Sequence, residues 1–151
     1  MKLISPTFSH YTNIPVRYTC DGKNISPLLE WTEVPSHTKS LVLIMDDPDA
    51  PVGTWNHWII FNLPASLTTL PEGIKIFPSG TKFGKNSWGK TEYGGPCPPD
   101  RQHRYFFKLY ALSVILDLPN GTSKEEIQSV MKEKIITETK LIGLYARLGW
   151  E

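Results

Sequence analysis

Three segments of the chain carry the apolar patterning of buried β-strands. Ser40 to Met45 (SLVLIM) is a short aliphatic run that ends in the turn-forming Asp46-Asp47-Pro48-Asp49-Ala50-Pro51, so it reads as a buried strand and its exit loop. Trp55 to Leu63 (WNHWIIFNL) predicts the next strand. Alternation sets Trp55, His57, Ile59 and Phe61 on one face and Asn56, Trp58, Ile60 and Asn62 on the other, both largely apolar as in a sandwich interior. His103 to Leu112 (HRYFFKLYAL) predicts a third, with His103, Tyr105, Phe107, Leu109 and Ala111 on one side and Arg104, Phe106, Lys108, Tyr110 and Leu112 on the other. After the Pro119-Asn120-Gly121 turn the period changes. Thr122 or Ser123 stands as N-cap, Glu125 or Glu126 in capping-box position, and Ile127, Val130, Met131 and Ile135 at helical spacing, which predicts one helix lying on the sheet. Leu141 to Leu148 (LIGLYARL) is read as a final strand.

Composition narrows what such a chain can do. The 151 residues fit one domain over 1–151, able to bury about two-thirds of the surface of its unfolded form. Sixteen Lys and Arg against fifteen Asp and Glu leave no bulk charge to hold nucleic acid or an anionic membrane, so any anion has to be caught locally. The longest apolar run, Leu41 to Met45, is far short of the roughly 20 residues of a membrane-spanning helix. The N-terminus lacks the apolar stretch of a signal peptide, and a cytoplasmic, not membrane-integral, protein is expected. Cys20 and Cys97 are too few and too far apart for a disulfide framework or a zinc site with paired-ligand spacing. Both are expected to be free thiols, although they could meet in space and oxidise.

One motif match is misleading. Gly84 to Thr91 (GKNSWGKT) satisfies the phosphate-loop expression G-x-x-x-x-G-K-[ST]. Such a loop must leave a buried strand and open a helix, whereas Phe77-Pro78-Ser79-Gly80 precedes and Glu92-Tyr93-Gly94-Gly95-Pro96 follows.

The polar residues that remain come from two distant segments, DDPDAP with GTWNHW, and Tyr93 to Tyr105 (YGGPCPPDRQHRY). In the second, Pro96, Pro98 and Pro99 have no N–H to offer, so the prolines shape the loop and side chains must bind. Two imidazoles, His57 and His103, and the Tyr105 phenol supply donors, while Asp47 can orient an imidazole by accepting its other N–H. The set fits a phosphate-sized anion.

These blocks closely resemble the signature blocks of the phosphatidylethanolamine-binding proteins, in particular the bacterial and archaeal branch related to Raf kinase inhibitor protein. Thr19 to Trp31 (TCDGKNISPLLEW) is similar to that branch's N-terminal block and Leu141 to Arg147 (LIGLYAR) to its C-terminal one. The resemblance implies a mostly β fold, an antiparallel Greek-key-like β-sandwich with peripheral helices. It also implies a shallow pocket for phosphate-like anions or phospholipid headgroups, built from Asp47, His57, Pro98, Pro99, His103 and Tyr105 with Cys97 at the rim. Asp49 and Arg104 belong to the scaffold on this reading, since strand phase turns Arg104 away from Tyr105. The sequence departs from the branch at Asp100, where glycine is common before His-Arg-Tyr, and at Lys134, where histidine is frequent.

The function expected is therefore non-catalytic binding or regulation, with no cofactor, no nucleic-acid partner, and homodimer formation as in many members of the branch. Imidazole-driven affinity for an anion would rise as pH falls through about 6.5. The alternative is an inhibitor of a kinase or protease acting through a surface loop. An enzyme built on two histidines and a carboxylate holding a metal, or on a Cys97–His103 dyad, ranks below both.

Overall fold

The computed structural model describes residues 1–148. Two sheets pack face to face. The smaller is antiparallel, β1 (Lys2–Ile4), β3 (Leu29–Thr32) and β6 (Thr69–Leu70). The larger runs in the order β2 (Thr12–Asn13), β10 (Ile135–Tyr145), β8 (His103–Leu112), β4 (Ser40–Asp47), β5 (Trp55–Pro64), β7 (Lys82–Lys85) and β9 (Thr122–Ser123). Its central strands are antiparallel, and the short β2 and β9 add in parallel at the two edges. The architecture is a mostly β, Greek-key-like sandwich.

The larger sheet is covered on both faces, which is why Leu41 to Met45 of β4 are apolar without alternation and the strand is buried throughout. Towards the smaller sheet, Leu41, Leu43, Met45, Trp58, Ile60, Phe107 and Leu109 meet Leu3 and Trp31. On the far face Val42, Ile44, Ile59 and Phe61 lie under α1 (Lys124–Met131), which presents Ile127 and Met131. Each fully buried aliphatic side chain contributes about 1.5–3 kcal/mol by leaving water. The helix starts as its sequence dictates, the Ser123 hydroxyl accepting from the Glu126 amide at 3.1 Å. It is shorter than its periodicity predicts. Val130 is exposed and Ile135 already begins β10, whose half-buried Ile135, Thr137 and Thr139 alternate with exposed residues. The last strand is therefore longer at its start than the apolar run 141–148, and ends at Tyr145.

Gly84, at the head of the phosphate-loop look-alike, is a packing residue. A Cβ there would lie 2.6 Å from Ile59 Cγ2 and 2.9 Å from Ile127 Cδ1, between sheet and helix. The following segment closes on itself as a turn in which Asn86 Oδ1 accepts from the Trp88 and Lys90 amides, and the next element after it is the strand β8 rather than a helix.

Cys20 and Cys97 are joined in a disulfide with Cα atoms 5.4 Å apart, which corrects the expectation of free thiols. Sequence separation hid the proximity, which comes from packing of two loops. The Cys20 amide donates to Pro96 O at 3.1 Å, the Tyr93 hydroxyl to Tyr18 O at 2.7 Å, and the Gly95 amide to Asn24 Oδ1 at 2.8 Å. Among the described residues no helix is long and apolar enough to cross a membrane.

Candidate functional site

The site forms where three neighbouring strands of the larger sheet start or end. β4 runs out at Asp47, β5 begins at Trp55 and β8 begins at His103, and their antiparallel order brings these ends together. Strict alternation would turn His57 with Ile59 and Phe61 towards α1. A register shift prevents this: Met45 faces Trp58 but Asp46 faces Asn56, so His57 is the extra residue of a β-bulge. Its ring instead lies edge-on to Tyr105, with centroids 5.3 Å apart. Tyr105 is in turn stacked at 6.4 Å against His103. Asp47, His57, His103 and Tyr105 form one cluster, all of them at most 3% exposed.

Hydrogen bonds assign the protons. His57 Nδ1 is 2.7 Å from Gly94 O, and a carbonyl only accepts, so Nδ1 carries the hydrogen and the neutral ring keeps a lone pair on Nε2. Burial pushes the His57 pKa down to about 4, against a smaller upward pull from the Gly94 carbonyl. The ring is therefore neutral at physiological pH and gains no charge near pH 6.5, contrary to the expectation for a free imidazole. His103 is held at both nitrogens, Nδ1 by Asp47 Oδ2 at 2.6 Å and Nε2 by Asp100 Oδ1 at 2.7 Å. Carboxylates only accept, and although burial works against it, the His103 bond with the neighbouring charges holds the Asp100 pKa below its ordinary value, so Asp100 is ionised and Nε2 carries a hydrogen, while the hydrogen between Nδ1 and Asp47 sits on one or the other. Burial raises the Asp47 pKa, with the His103 bond opposing it. Burial also pushes the Tyr105 phenol far above its ordinary value, the charge of Asp47 adding to the effect, so it acts as a neutral hydroxyl.

A shell around the cluster fixes its position. Asp49 grips Arg104 as a fork, taking Nε and Nη2 at 2.9 Å each and the Arg104 backbone amide at 2.9 Å. The Asp49 amide donates back to Asp47 Oδ1 at 2.8 Å, so the Asp-Pro-Asp turn and the start of β8 are tied together. The proline loop lies above. Pro98 is buried, Pro99 and Cys97 are exposed, and the disulfide anchors the loop at Cys97.

Two residues of the site carried no readable signal as such. Trp88, half-exposed, lies edge-on over His57 at 5.1 Å and over Trp55 at 5.6 Å. The clue to it is Gly94, where any Cβ would collide with the Trp88 ring. Asp100 stands out in the sequence only as a departure from a familiar pattern, yet it touches the buried imidazole. The cluster itself is closed. Surface hollows of about 590 and 850 Å³ lie elsewhere, and neither is lined by Asp47, His57, His103 or Tyr105; only Pro99 borders one of them. Among the described residues no group of three His, Cys, Asp or Glu side chains is arranged to hold a metal ion. Cys97, spent in the disulfide, cannot serve as the thiol of a Cys97–His103 dyad.

A β-sandwich with buried Asp and His side chains converging at one end of its larger sheet is the class that fold and cluster define. Residues 4–146 match the phosphatidylethanolamine-binding protein family, and the chain belongs to it. It is 51% identical over 150 residues to a UPF0098 protein of Methanothermobacter thermautotrophicus, covering 97% of this chain and 99% of that one. A UPF0098 protein of Aquifex aeolicus is 49% identical over 152 residues, covering 97% and 89%. Among solved structures, the phosphatidylethanolamine-binding protein homologue CT736 of Chlamydia trachomatis superposes with a TM-score of 0.91 at 42% identity, covering 96% of each chain. E. coli YbcL, described as a member of the mammalian PEBP family, gives 0.87 at 30% identity, covering 95% of this chain and 96% of that one.

Proposed function

We propose that this chain is a non-catalytic binding protein whose Asp47–His57–His103–Tyr105 cluster takes a phosphate-like anion, free or as a phospholipid headgroup. The observation that carries the reading is the 2.6 Å bond from Asp47 to His103 Nδ1, which aims the opposite N–H of a buried imidazole towards the proline loop. An oriented N–H in a water-poor site is a strong donor to an anionic oxygen. His57 complements it: its Nε2 lone pair accepts from a protonated phosphate oxygen, while the Tyr105 hydroxyl donates or accepts. A cytoplasmic site of action, expected from the N-terminal sequence, would require the Cys20–Cys97 disulfide to resist the thiol pool there.

The test is an NMR titration with inorganic phosphate and O-phosphorylethanolamine, followed by vesicles with and without phosphatidylethanolamine. Saturable shifts at residues 47–57 and 93–105, lost in His103→Ala, support the reading. Vesicle binding that depends on the headgroup would favour the lipid as source over free phosphate. Absence of any saturable shift with either small anion would remove it.

A further inference from the structure

Asp100 already makes the contact that an incoming anion would need. Its Oδ1 lies 2.7 Å from His103 Nε2, the one ring nitrogen that Asp47 leaves free. Carboxylate and phosphate oxygens are acceptors of the same kind, and one N–H cannot give a full, linear bond to both. The Asp100 side chain is 45% exposed and the His103 side chain 1%, so the carboxylate reaches down from the surface onto a buried ring. Its other ties are local, to the adjacent Arg101. Oδ1 also accepts from the Arg101 amide at 3.0 Å, and Oδ2 faces Arg101 Nε at 3.9 Å. The backbone from Pro99 to Arg101 belongs to no strand or helix, so a side-chain rotation suffices to withdraw the carboxylate.

We infer that Asp100 is a tethered occupant of the anion site, an internal carboxylate that an external anion must displace from His103. The inference rests on the anion-binding reading above and adds its regulation and selectivity. Because the competitor is a singly charged carboxylate held by its own chain, simple carboxylate ligands gain nothing by replacing it. A phosphate or phosphomonoester dianion brings a second charge and further acceptor oxygens, so the plug selects for that class.

Wild type, Asp100→Gly, Asp100→Asn and the charge control Glu92→Gln are titrated with inorganic phosphate and with acetate. Glu92 is exposed and distant in role, its only ion pair being a 3.9 Å contact to Lys90 among the described residues. Asp100→Gly is expected to bind phosphate about tenfold more tightly than wild type, a change worth about 1.4 kcal/mol. Asp100→Asn should fall between them, and Glu92→Gln should match wild type. Acetate should bind Asp100→Gly but not wild type. A ligand-independent readout accompanies these: a downfield Nε2–H proton of His103 is expected in unliganded wild type, should be lost in unliganded Asp100→Gly and should return with phosphate.

Equal phosphate affinities in wild type and Asp100→Gly would overturn the plug while leaving the anion site standing. Weaker binding by Asp100→Gly would overturn it too, making Asp100 part of the ligand's cradle. No saturable binding by wild type or by Asp100→Gly would overturn the anion reading itself.

Discussion

Trp88, half-exposed, stands edge to face over the buried His57 imidazole, the two ring centroids 5.1 Å apart. Burial is the main reason the His57 pKa is held down to about 4. Replacing Trp88 by Ala should admit water to the ring and move its titration back towards the ordinary 6.5. A two-dimensional NMR titration of the imidazole protons checks this. A His57 that still refuses a proton at pH 5 in the variant would show that Tyr105 and Gly94, not Trp88, control its environment.

The same histidine links stability to pH. In the unfolded chain it takes a proton near 6.5, and in the folded protein only near 4, so between these values the unfolded state binds more protons and gains as pH falls. The loss of stability across this window is on the order of 3 kcal/mol at full burial. Asp47 acts with the opposite sign: its raised folded pKa lets the native state take up a proton first and offsets part of the loss. Denaturant unfolding of wild type and His57→Gln at intervals from pH 7 to 4 should show a steeper fall in wild type. Parallel curves would place the acid sensitivity elsewhere.

Strands were legible wherever pattern alone decides them. The β8 segment begins at His103 and ends at Leu112 as alternation predicts, because its two faces pack against different layers and each residue's side follows from its number. His57 escapes that rule. A single extra residue opposite the Met45–Asp46 step turns the ring to the other face, and nothing in WNHWIIF marks the bulge. Asn62 marks a second irregularity. It adopts φ 58°, which asparagine tolerates better than most residues, and its amide exchanges two hydrogen bonds with the Leu116 backbone, at 2.8 and 2.9 Å. Asp47, His103 and Tyr105 could be grouped because strand ends and phase suffice for them. Trp88, the contact of Asp100 and the Cys20–Cys97 pairing could not, since each depends on how loops far apart in sequence settle over the sheet.

The Asp49–Arg104 fork predicts unequal costs for its two halves. Asp49 accepts three hydrogen bonds, and Arg104, foremost through its side chain, holds the Asp49 pKa down to about 2. Asp49→Ala should cost about 2 kcal/mol, because the Arg104 amide and guanidinium both lose their acceptor. Arg104→Ala should cost about 1 kcal/mol or less, since its side chain is 45% exposed and the backbone bond to Asp49 survives. The depressed pKa means that this stabilisation is complete above about pH 4 and is lost as pH falls towards 2. Chemical denaturation of both variants and their double mutant measures the asymmetry. Equal single-variant losses would show that the backbone bond contributes nothing.

Reduction of the disulfide should destabilise the fold more than any single contact at the site. Cys20 and Cys97 are 77 residues apart in sequence, so the bond removes a large amount of conformational freedom from the unfolded chain, worth about 4 kcal/mol by loop-closure entropy. The native loops keep other ties, the Cys20 amide to Pro96 O and the Gly95 amide to Asn24 Oδ1, so the reduced protein should retain its fold in water while its denaturation midpoint drops. Cys20→Ser and Cys97→Ser should each reproduce the midpoint of the reduced wild type, because either change opens the same loop. A serine variant well below the reduced protein would mean that the lost sulfur packs as well as links. An unchanged midpoint on reduction would mean that the unfolded chain is already held compact near these two positions, which the chain-entropy argument does not allow for.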